Sequence, residues 1–481
     1  MVKGTIRVFL AESLLLPTGL VTAAFLTRKL APEGYGLFAV ASILIAWIEW
    51  TISAIFSRAA FKLIGAADDW KPIGAAITRL YLILGAAAAL VLWLCAGAIA
   101  VMLKAPALAG YLRLFAIDIP IFCTAQAHRT ILVGIGGFRQ RANVTAVRWI
   151  ARLVFIVIFV QMGLSIPGVI VGSISASLAE LACCRLYVQP ALFGRINFPI
   201  RPLLEYAVPL LLFAVSMRLL DKLDLFMLQG LRGNAAEAGI YGAAQNLTLL
   251  ASLFALSFSP LLLSTLSRML SAGQNDLARR TGRDALRVVI GLLPFATMTS
   301  GAAQEIAVSV FGERFRPAAA PLALLIIGSV GFVAISVATA ILTAEGRPRQ
   351  TVLLAAPLVV ASFAGNLWLI PKMGPFGAAL VTTLVGAIGG LAATLAVQHL
   401  WGGGLPIATF VRSLIISAGA YALAAAWPTP NFFFLALKLS AIGLFVLVGF
   451  LALGEFSSAE IGAMRGIFRR QAAAAQDPRL L

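Results

Sequence analysis

Long apolar runs constrain this chain more than any other feature of its sequence. Runs of about 18 to 25 residues rich in Leu, Ala, Ile and Val recur along the 481 residues, and each can cross a hydrocarbon core of about 30 Å as a helix. Continuous runs favour helices over the alternating strands of an outer-membrane barrel. The sequence therefore predicts an all-α polytopic membrane protein with about fourteen transmembrane helices, at 5–27, 36–57, 78–101, 111–134, 148–164, 167–189, 206–228, 240–266, 285–309, 320–343, 351–370, 375–398, 410–427 and 432–453.

Composition agrees with this class of protein. Charged residues make up 12% and hydrophobic residues 61% of the chain, whereas soluble domains carry about 25% charged residues. The net charge of +18 is explained by topology. If the amino terminus is cytoplasmic, most of the 37 lysine and arginine residues fall in cytoplasmic connections, as the positive-inside rule requires. We expect a multi-pass protein with both termini cytoplasmic and no nucleic-acid partner.

The chain contains an internal repeat. Residues 131–140 and 341–350 match at five of ten positions without a gap. Residues 36–41 resemble 239–244 at a similar offset, and Pro167 with Gly168 has a counterpart at 375–377. Matches in the same order indicate two related halves.

The repeat predicts the domain organisation. We expect a six-helix lobe at 1–195, a second at 200–400, two additional transmembrane helices at 405–455 and an amphipathic cytoplasmic tail at 456–481. Because six is even, the lobes share one orientation, and a pseudo-two-fold axis runs along the membrane normal. A pathway between two such lobes is typical of a transporter that works by alternating access.

Cysteine usage and loop length argue against other classes. Cys95, Cys123, Cys183 and Cys184 lie in predicted spans, so we expect neither a disulfide framework nor a metal site. The connections are too short for a soluble catalytic domain. We expect no enzyme activity and no cofactor.

Four acids fall in the predicted spans of the first half, namely Glu12, Glu49, Asp118 and Glu180. An ionisable group near the bilayer centre costs at least about 2.5 to 3.5 kcal/mol, so each needs a partner or a wet cavity. These acids are candidates for ion coupling or for lining a cavity. The alternative is that each is hydrogen-bonded to a neighbouring helix.

The seventh span holds the densest charge cluster, formed by Arg218, Asp221, Lys222 and Asp224. The two acids of this cluster are further candidates for ion coupling or for lining a cavity. In a helix, residues 218, 221 and 222 share a face. An arginine near the midplane can bind a phosphate through two parallel hydrogen bonds. The alternatives are that the acids and bases neutralise one another, and that Lys222 reaches outward to the interface.

Three passages carry a family resemblance. Residues 28–39, residues 221–224 with 239–244, and residues 344–349 resemble segments of bacterial polysaccharide flippases in the multidrug/oligosaccharidyl-lipid/polysaccharide exporter superfamily. The resemblance covers essentially the whole chain.

The resemblance implies a flippase of the bacterial inner membrane. Such a protein moves an undecaprenyl-diphosphate-linked oligosaccharide from the cytoplasmic to the periplasmic leaflet for O-antigen, capsule or exopolysaccharide synthesis. Its partners would be the lipid-linked oligosaccharide, the bilayer, and a polysaccharide polymerase or chain-length regulator. A diphosphate requires basic side chains in a wet cavity, for which Arg218, Lys222 and Arg129 are the candidates.

Other functions stay open on the sequence alone. A multidrug exporter of the same superfamily would present acids and aromatics to cationic drugs. A peptidoglycan-precursor flippase is closer in mechanism. A scaffold or polymerase would leave the seventh-span cluster unconnected to any cavity.

Overall fold

A computed structural model describes residues 11–65, 69–191, 222–401 and 407–456, and all regular structure within them is helical. The all-α membrane architecture is confirmed. Each predicted span overlaps a helix, the seventh only from Leu223 onward. The helices are α1 (Leu15–Gly65), α2 (Lys71–Met102), α3 (Leu108–Phe115), α4 (Asp118–Gly134), α5 (Phe138–Phe159), α6 (Ser165–Tyr187), α7 (Leu223–Arg232), α8 (Ala235–Ser271), α9 (Asn275–Ile290), α10 (Leu293–Gly301), α11 (Ala303–Phe311), α12 (Ala319–Ala344), α13 (Pro348–Trp401), α14 (Ile407–Ala426) and α15 (Phe432–Ala452).

Several neighbouring spans are joined by a sharp break in the backbone instead of a loop. In this part of the chain, eight helices are long and apolar enough to cross a membrane, or nine if a bent pair counts as one span. Helix α1 contains two predicted spans and breaks at Ala31, before Pro32. Helix α13 also contains two and breaks at Gly374. Two neighbouring predicted spans can therefore fall within one long helix.

The opening match of the repeat forms the same helix end in both copies. After α4, the amides of 135, 136 and 137 donate to the carbonyls of 131, 133 and 132. After α12, the amides of 345, 346 and 347 donate to those of 341, 343 and 342. Gly136 and Gly346 adopt φ of 76° and 77°, a left-handed conformation that glycine reaches without steric cost. Both copies of the repeat therefore have glycine at this position, where the backbone is left-handed.

The match of Pro167 and Gly168 with residues 375–377 lies just after a backbone break that occurs in both copies. Ser165, between α5 and α6, has φ 49° and ψ −131°, and Gly374 in α13 has φ 54° and ψ −133°. A proline and a close-packed glycine follow each of them, at Pro167 and Gly168 in the first copy. The same backbone geometry recurs about 209 residues later, at the offset of the sequence repeat.

In the match of 36–41 with 239–244, the two copies contact each other directly. A Cβ placed on Gly36 would lie 1.8 Å from the carbonyl oxygen of Ala235, and one on Gly239 would lie 2.0 Å from that of Pro32. The contact is reciprocal, as at a two-fold axis. Small residues at this position let the two helix backbones touch.

The described contacts divide into two compact units. Unit 1 comprises Met1–Leu250, Val310–Leu322 and Val359–Thr382, and unit 2 comprises Ala251–Ser309, Ala323–Leu358 and Thr383–Leu481. In unit 1, α5 packs along α6, and α4 packs on α1 and α2. In unit 2, α10 packs on α14, and α14 on α15. The predicted lobe boundary at 195–200 and the predicted amphipathic tail lie outside the described residues.

Candidate functional site

A buried charge cluster occupies unit 1. The side chain of Glu180, from α6, has no exposed surface. Arg129 Nε lies 3.1 Å from Glu180 Oε1, and Arg148 Nη1 lies 2.5 Å from Oε2. Both guanidinium groups also face the ring of Phe122, with Cζ 5.5 and 4.3 Å from its centroid. Glu180 is therefore the direct ion-pair partner of two largely buried bases.

Two more acids adjoin this cluster. Asp118, at the start of α4, is hydrogen-bonded to Ser177 and interacts electrostatically with Arg148 and Arg152. Glu49, in α1, lines a small cavity of about 70 Å³ with the same two arginines. Its Oε1 has no hydrogen-bond partner in the described part of the chain. A polar cavity of this size has room for water.

A larger cavity of about 260 Å³ lies in unit 1 and is called the central cavity here. Residues between Leu15 and Ile43 in α1 form its mostly apolar wall. Arg152 and Lys222 are the charged side chains among its described lining residues, and no carboxylate is among them. Arg152 Nε has no hydrogen-bond partner within the described ranges. The cavity therefore presents positive charge next to an apolar surface.

Arg152 connects the two cavities, because it lines both of them. Its guanidinium lies between the central cavity on one side and Glu49 on the other. A ligand that binds Arg152 therefore acts directly on the electrostatic environment of Glu49.

Lys222 reaches the central cavity from a break in the backbone. Its φ of 73° is left-handed, and α7 begins one residue later. The expected helical face shared by 218, 221 and 222 therefore does not continue through Lys222. Its Nζ donates to Gln245 Oε1 at 2.9 Å. Arg218 and Asp221 lie outside the described residues.

Asp224 sits in a dense hydrogen-bond network beside Lys222. Its carboxylate accepts from Tyr241 at 2.5 Å, from Gln245 at 3.0 Å and from Thr382 at 3.0 Å. The amide of Leu225 also donates to it, at 2.8 Å. Gln245 bridges Lys222 and Asp224, and so fixes Lys222 at the cavity wall.

The remaining candidates lie away from the central cavity. Glu12 pairs with Arg141 at 3.3 Å, and its side chain is 43% exposed. Arg129 belongs to the Glu180 cluster and is not among the lining residues. Of the predicted headgroup candidates that the structure describes, Lys222 therefore reaches the cavity and Arg129 does not.

The sequence analysis does not single out Arg148 and Arg152. Their spacing of four places both on one face of α5, a signal that a search for paired bases within a span would have found. Tyr241 and Gln245 carry the same spacing on α8.

In the described ranges, no three His, Cys, Asp or Glu side chains are placed to hold a metal ion. The four cysteines are free thiols.

Comparisons with known proteins agree with this architecture. Residues 25–320 match the model of a family described as polysaccharide biosynthesis protein. No curated protein sequence gives a significant match.

Solved structures with similar folds are transport proteins. The lipid II flippase MurJ, in an inward closed conformation, is 15% identical with a TM-score of 0.71, covering 93% of this chain and 98% of that one. An inward-facing multidrug resistance MATE transporter is 15% identical with a TM-score of 0.61, covering 82% and 94%. A MOP superfamily transporter from Pyrococcus furiosus is 16% identical with a TM-score of 0.59, covering 83% and 95%. The chain belongs to the polysaccharide biosynthesis protein family and has the fold of MurJ and the MATE transporters.

Proposed function

We propose that this protein is a flippase that moves an undecaprenyl-diphosphate-linked oligosaccharide from the cytoplasmic to the periplasmic leaflet for O-antigen, capsule or exopolysaccharide synthesis. Family membership supports the link to polysaccharide biosynthesis. The similarity of fold to a lipid II flippase supports lipid-linked cargo.

The observation that carries the proposal is the charge of the central cavity. Arg152 and Lys222 face it, and its described lining contains no carboxylate. A diphosphate is held best by charge-assisted hydrogen bonds, and a guanidinium offers two in parallel. The apolar wall suits the lipid side of the cargo, while the sugars follow the diphosphate between the lobes.

The same observation counts against one of the two alternatives. A multidrug exporter for cationic drugs needs carboxylates on its cavity wall, and in the described part the buried acids Glu180 and Asp224 are engaged elsewhere. A peptidoglycan-precursor flippase would use the same diphosphate chemistry. It is therefore the second candidate, and the fold of MurJ favours it.

We further propose that Arg152 links substrate binding to ion binding. When a diphosphate occupies Arg152, the guanidinium compensates Glu49 and Asp118 less, so a proton or cation on these acids becomes more favourable. Binding of the cargo and binding of the ion would then be thermodynamically linked during alternating access.

The proposed setting follows the expectations from sequence. The two six-helix lobes at 1–195 and 200–400 would form the pathway in the bacterial inner membrane, with both termini cytoplasmic. A polysaccharide polymerase or chain-length regulator would receive the exported repeat unit.

Arg152→Gln tests the headgroup site. Purified variants are reconstituted in liposomes that carry a defined undecaprenyl-diphosphate oligosaccharide, and arrival of its sugar in the outer leaflet is measured. We expect Arg152→Gln to lower the rate by at least about tenfold, because one lost charge-assisted bond is worth about 1.5–3 kcal/mol. Arg152→Lys retains part of the rate. Arg139→Gln, an exposed base outside the cavity lining, is the matched control.

Lys222→Met is a second test variant, which is needed if Arg152→Gln inserts poorly into the membrane. Normal translocation by both Arg152→Gln and Lys222→Met, at equal protein level, contradicts a headgroup role for the central cavity. A second liposome set with lipid II as cargo distinguishes the two flippase readings. Drug efflux without lipid translocation would favour the multidrug reading.

A further inference from the structure

Asp224 is a buried carboxylate that neutral groups hold from three helices. Tyr241 of α8 donates to its Oδ2 at 2.5 Å, and Thr382 of α13 donates to the same oxygen at 3.0 Å. The amide of Leu225 in α7 donates to Oδ1 at 2.8 Å. None of these donors carries a charge, although the base Lys222 lies only two positions away in the chain.

Gln245 stands between this carboxylate and Lys222. Its Nε2 donates to both oxygens of Asp224 at 3.0 Å, and its Oε1 accepts from Lys222 Nζ at 2.9 Å. Because a carboxylate only accepts and an ammonium only donates, both neighbours impose the same orientation on the amide. One neutral amide therefore joins the two opposite charges.

We propose that Gln245 is a positioning residue that keeps Lys222 available to the diphosphate of the cargo. The inference rests on the proposed function, in which Lys222 binds this headgroup. Gln245 and Lys222 line the central cavity, whereas Asp224 is not among its described lining residues. If the ammonium contacted the carboxylate directly, a phosphate would have to displace that carboxylate before binding. With the amide between them, the ammonium is held in place and the cavity wall keeps its positive charge.

A neutral amide suits this position for an electrostatic reason. Asp224 stays close enough to lower the cost of burying the ammonium group, while the amide uses one of the three ammonium donors. Tyr241 and Gln245 are one turn apart on α8, so one helix face holds the carboxylate and presents the amide to Lys222. Without the amide, the flexible stem of Lys222 would let its ammonium reach Asp224 directly.

A double-mutant cycle on the purified full-length protein tests this role. Affinity for geranyl diphosphate, a prenyl diphosphate without sugars, is measured by isothermal titration calorimetry in detergent. Gln245→Met should weaken binding at least about fivefold, a coupling within the range for residues of one hydrogen-bond network. In a Lys222→Met background, the same substitution should change the affinity by less than about twofold. Gln274→Met, at an exposed glutamine outside the lining, is the matched control.

Asp224→Asn provides a rescue that a merely structural role of Gln245 would not give. Once the carboxylate is replaced by an amide, Lys222 is no longer attracted to position 224. The double variant with Gln245→Met and Asp224→Asn should therefore bind geranyl diphosphate more tightly than Gln245→Met alone. An equal loss of affinity on Gln245→Met in both Lys222 backgrounds overturns the positioning role. Failure of the rescue at an equal melting temperature overturns it as well.

Translocation of the lipid-linked oligosaccharide in liposomes, measured in parallel, separates this inference from the proposed function. Translocation by the native protein, together with an equal loss of affinity in both backgrounds, refutes the positioning role alone. Absence of both diphosphate binding and translocation in the native protein refutes the proposed function and the positioning role with it.

Discussion

At the residue scale, three kinds of position carry different physical roles. Gly36 and Gly239 are required by a backbone contact, because no Cβ fits between their helices. Glu180 is required by charge, because two guanidinium groups depend on it. Arg152 Nε has no hydrogen-bond partner in the described chain, and Arg152 lines two cavities. Of the three kinds, the last is the one suited to bind and release a ligand.

Gly36→Ala should lower stability. The new methyl group would lie within 2 Å of the Ala235 carbonyl oxygen, and overpacking of this kind costs about 1–3 kcal/mol. Thermal unfolding of the purified protein in detergent, at a fixed scan rate, measures the change in apparent melting temperature. Gly97→Ala is the control, because nothing lies within 4 Å of its added Cβ. Equal melting temperatures for the two variants would mean that the helices do not touch at Gly36.

At the element scale, the C-terminal hairpin α14–α15 is fixed to α9–α11 at both ends within unit 2. At one end, Lys438 is fully buried and pairs with Glu305 at 2.8 Å. At the other end, Glu455 accepts from Thr409 at 2.6 Å and from Arg412 at 2.8 Å, and forms an ion pair with Arg287. The hairpin is therefore a part of unit 2 and not a loose addition to it.

Glu455 gives this attachment a predictable pH dependence. Burial by itself raises the pKa of Glu455, but the hydrogen bonds from Thr409, Arg287 and Arg412 outweigh burial and lower the pKa below its ordinary value of 4.5. A carboxylate with a lowered folded pKa stabilises the folded state above its ordinary pKa. That stabilisation is lost as the pH falls through the lowered value.

Glu455→Gln should therefore be less stable than the native protein at neutral pH. Hydrogen bonds to a charged group are worth about 1.5–3 kcal/mol each, so a clear drop in melting temperature is expected. The difference between the two proteins should shrink as the pH falls below 4.5. A constant difference across that window would show that the stabilisation does not depend on the ionised carboxylate.

At the scale of the whole molecule, the distribution of basic residues sets the expected orientation in the membrane. Arg347 follows the predicted tenth span and Lys372 the eleventh, so they should face opposite sides. Both side chains are exposed in the described structure.

Cysteine labelling checks this orientation. In a variant with the four native cysteines replaced by alanine, Lys372→Cys should react with a membrane-impermeant maleimide in intact cells with a permeabilised outer membrane. Arg347→Cys should react only after the inner membrane is opened. The reverse pattern would invert the topology, and labelling of both in intact cells would contradict the predicted eleventh span.

The apolar runs were sufficient to predict the all-α membrane fold, and the three passages with a family resemblance were sufficient to predict a family of polysaccharide biosynthesis. These features are local or statistical, so they can be recognised in the sequence without knowing how the helices pack. The structure adds that both copies of the repeat place a left-handed glycine after a helix, at Gly136 and Gly346. The candidate site was predicted only in part, because Lys222 lines the central cavity but Arg152 was not singled out.

Tertiary structure decided which charges meet. In α5, sequence alone makes Arg148 and Arg152 equivalent basic residues one helical turn apart. Packing places Arg148 against Glu180, whereas Arg152 lines two cavities. Asp224 and Thr382 are 158 residues apart in sequence and 3.0 Å apart in space. In a membrane, apolarity determines only that a segment is buried in lipid. Which side chains meet in a cavity depends on how the helices pack against one another.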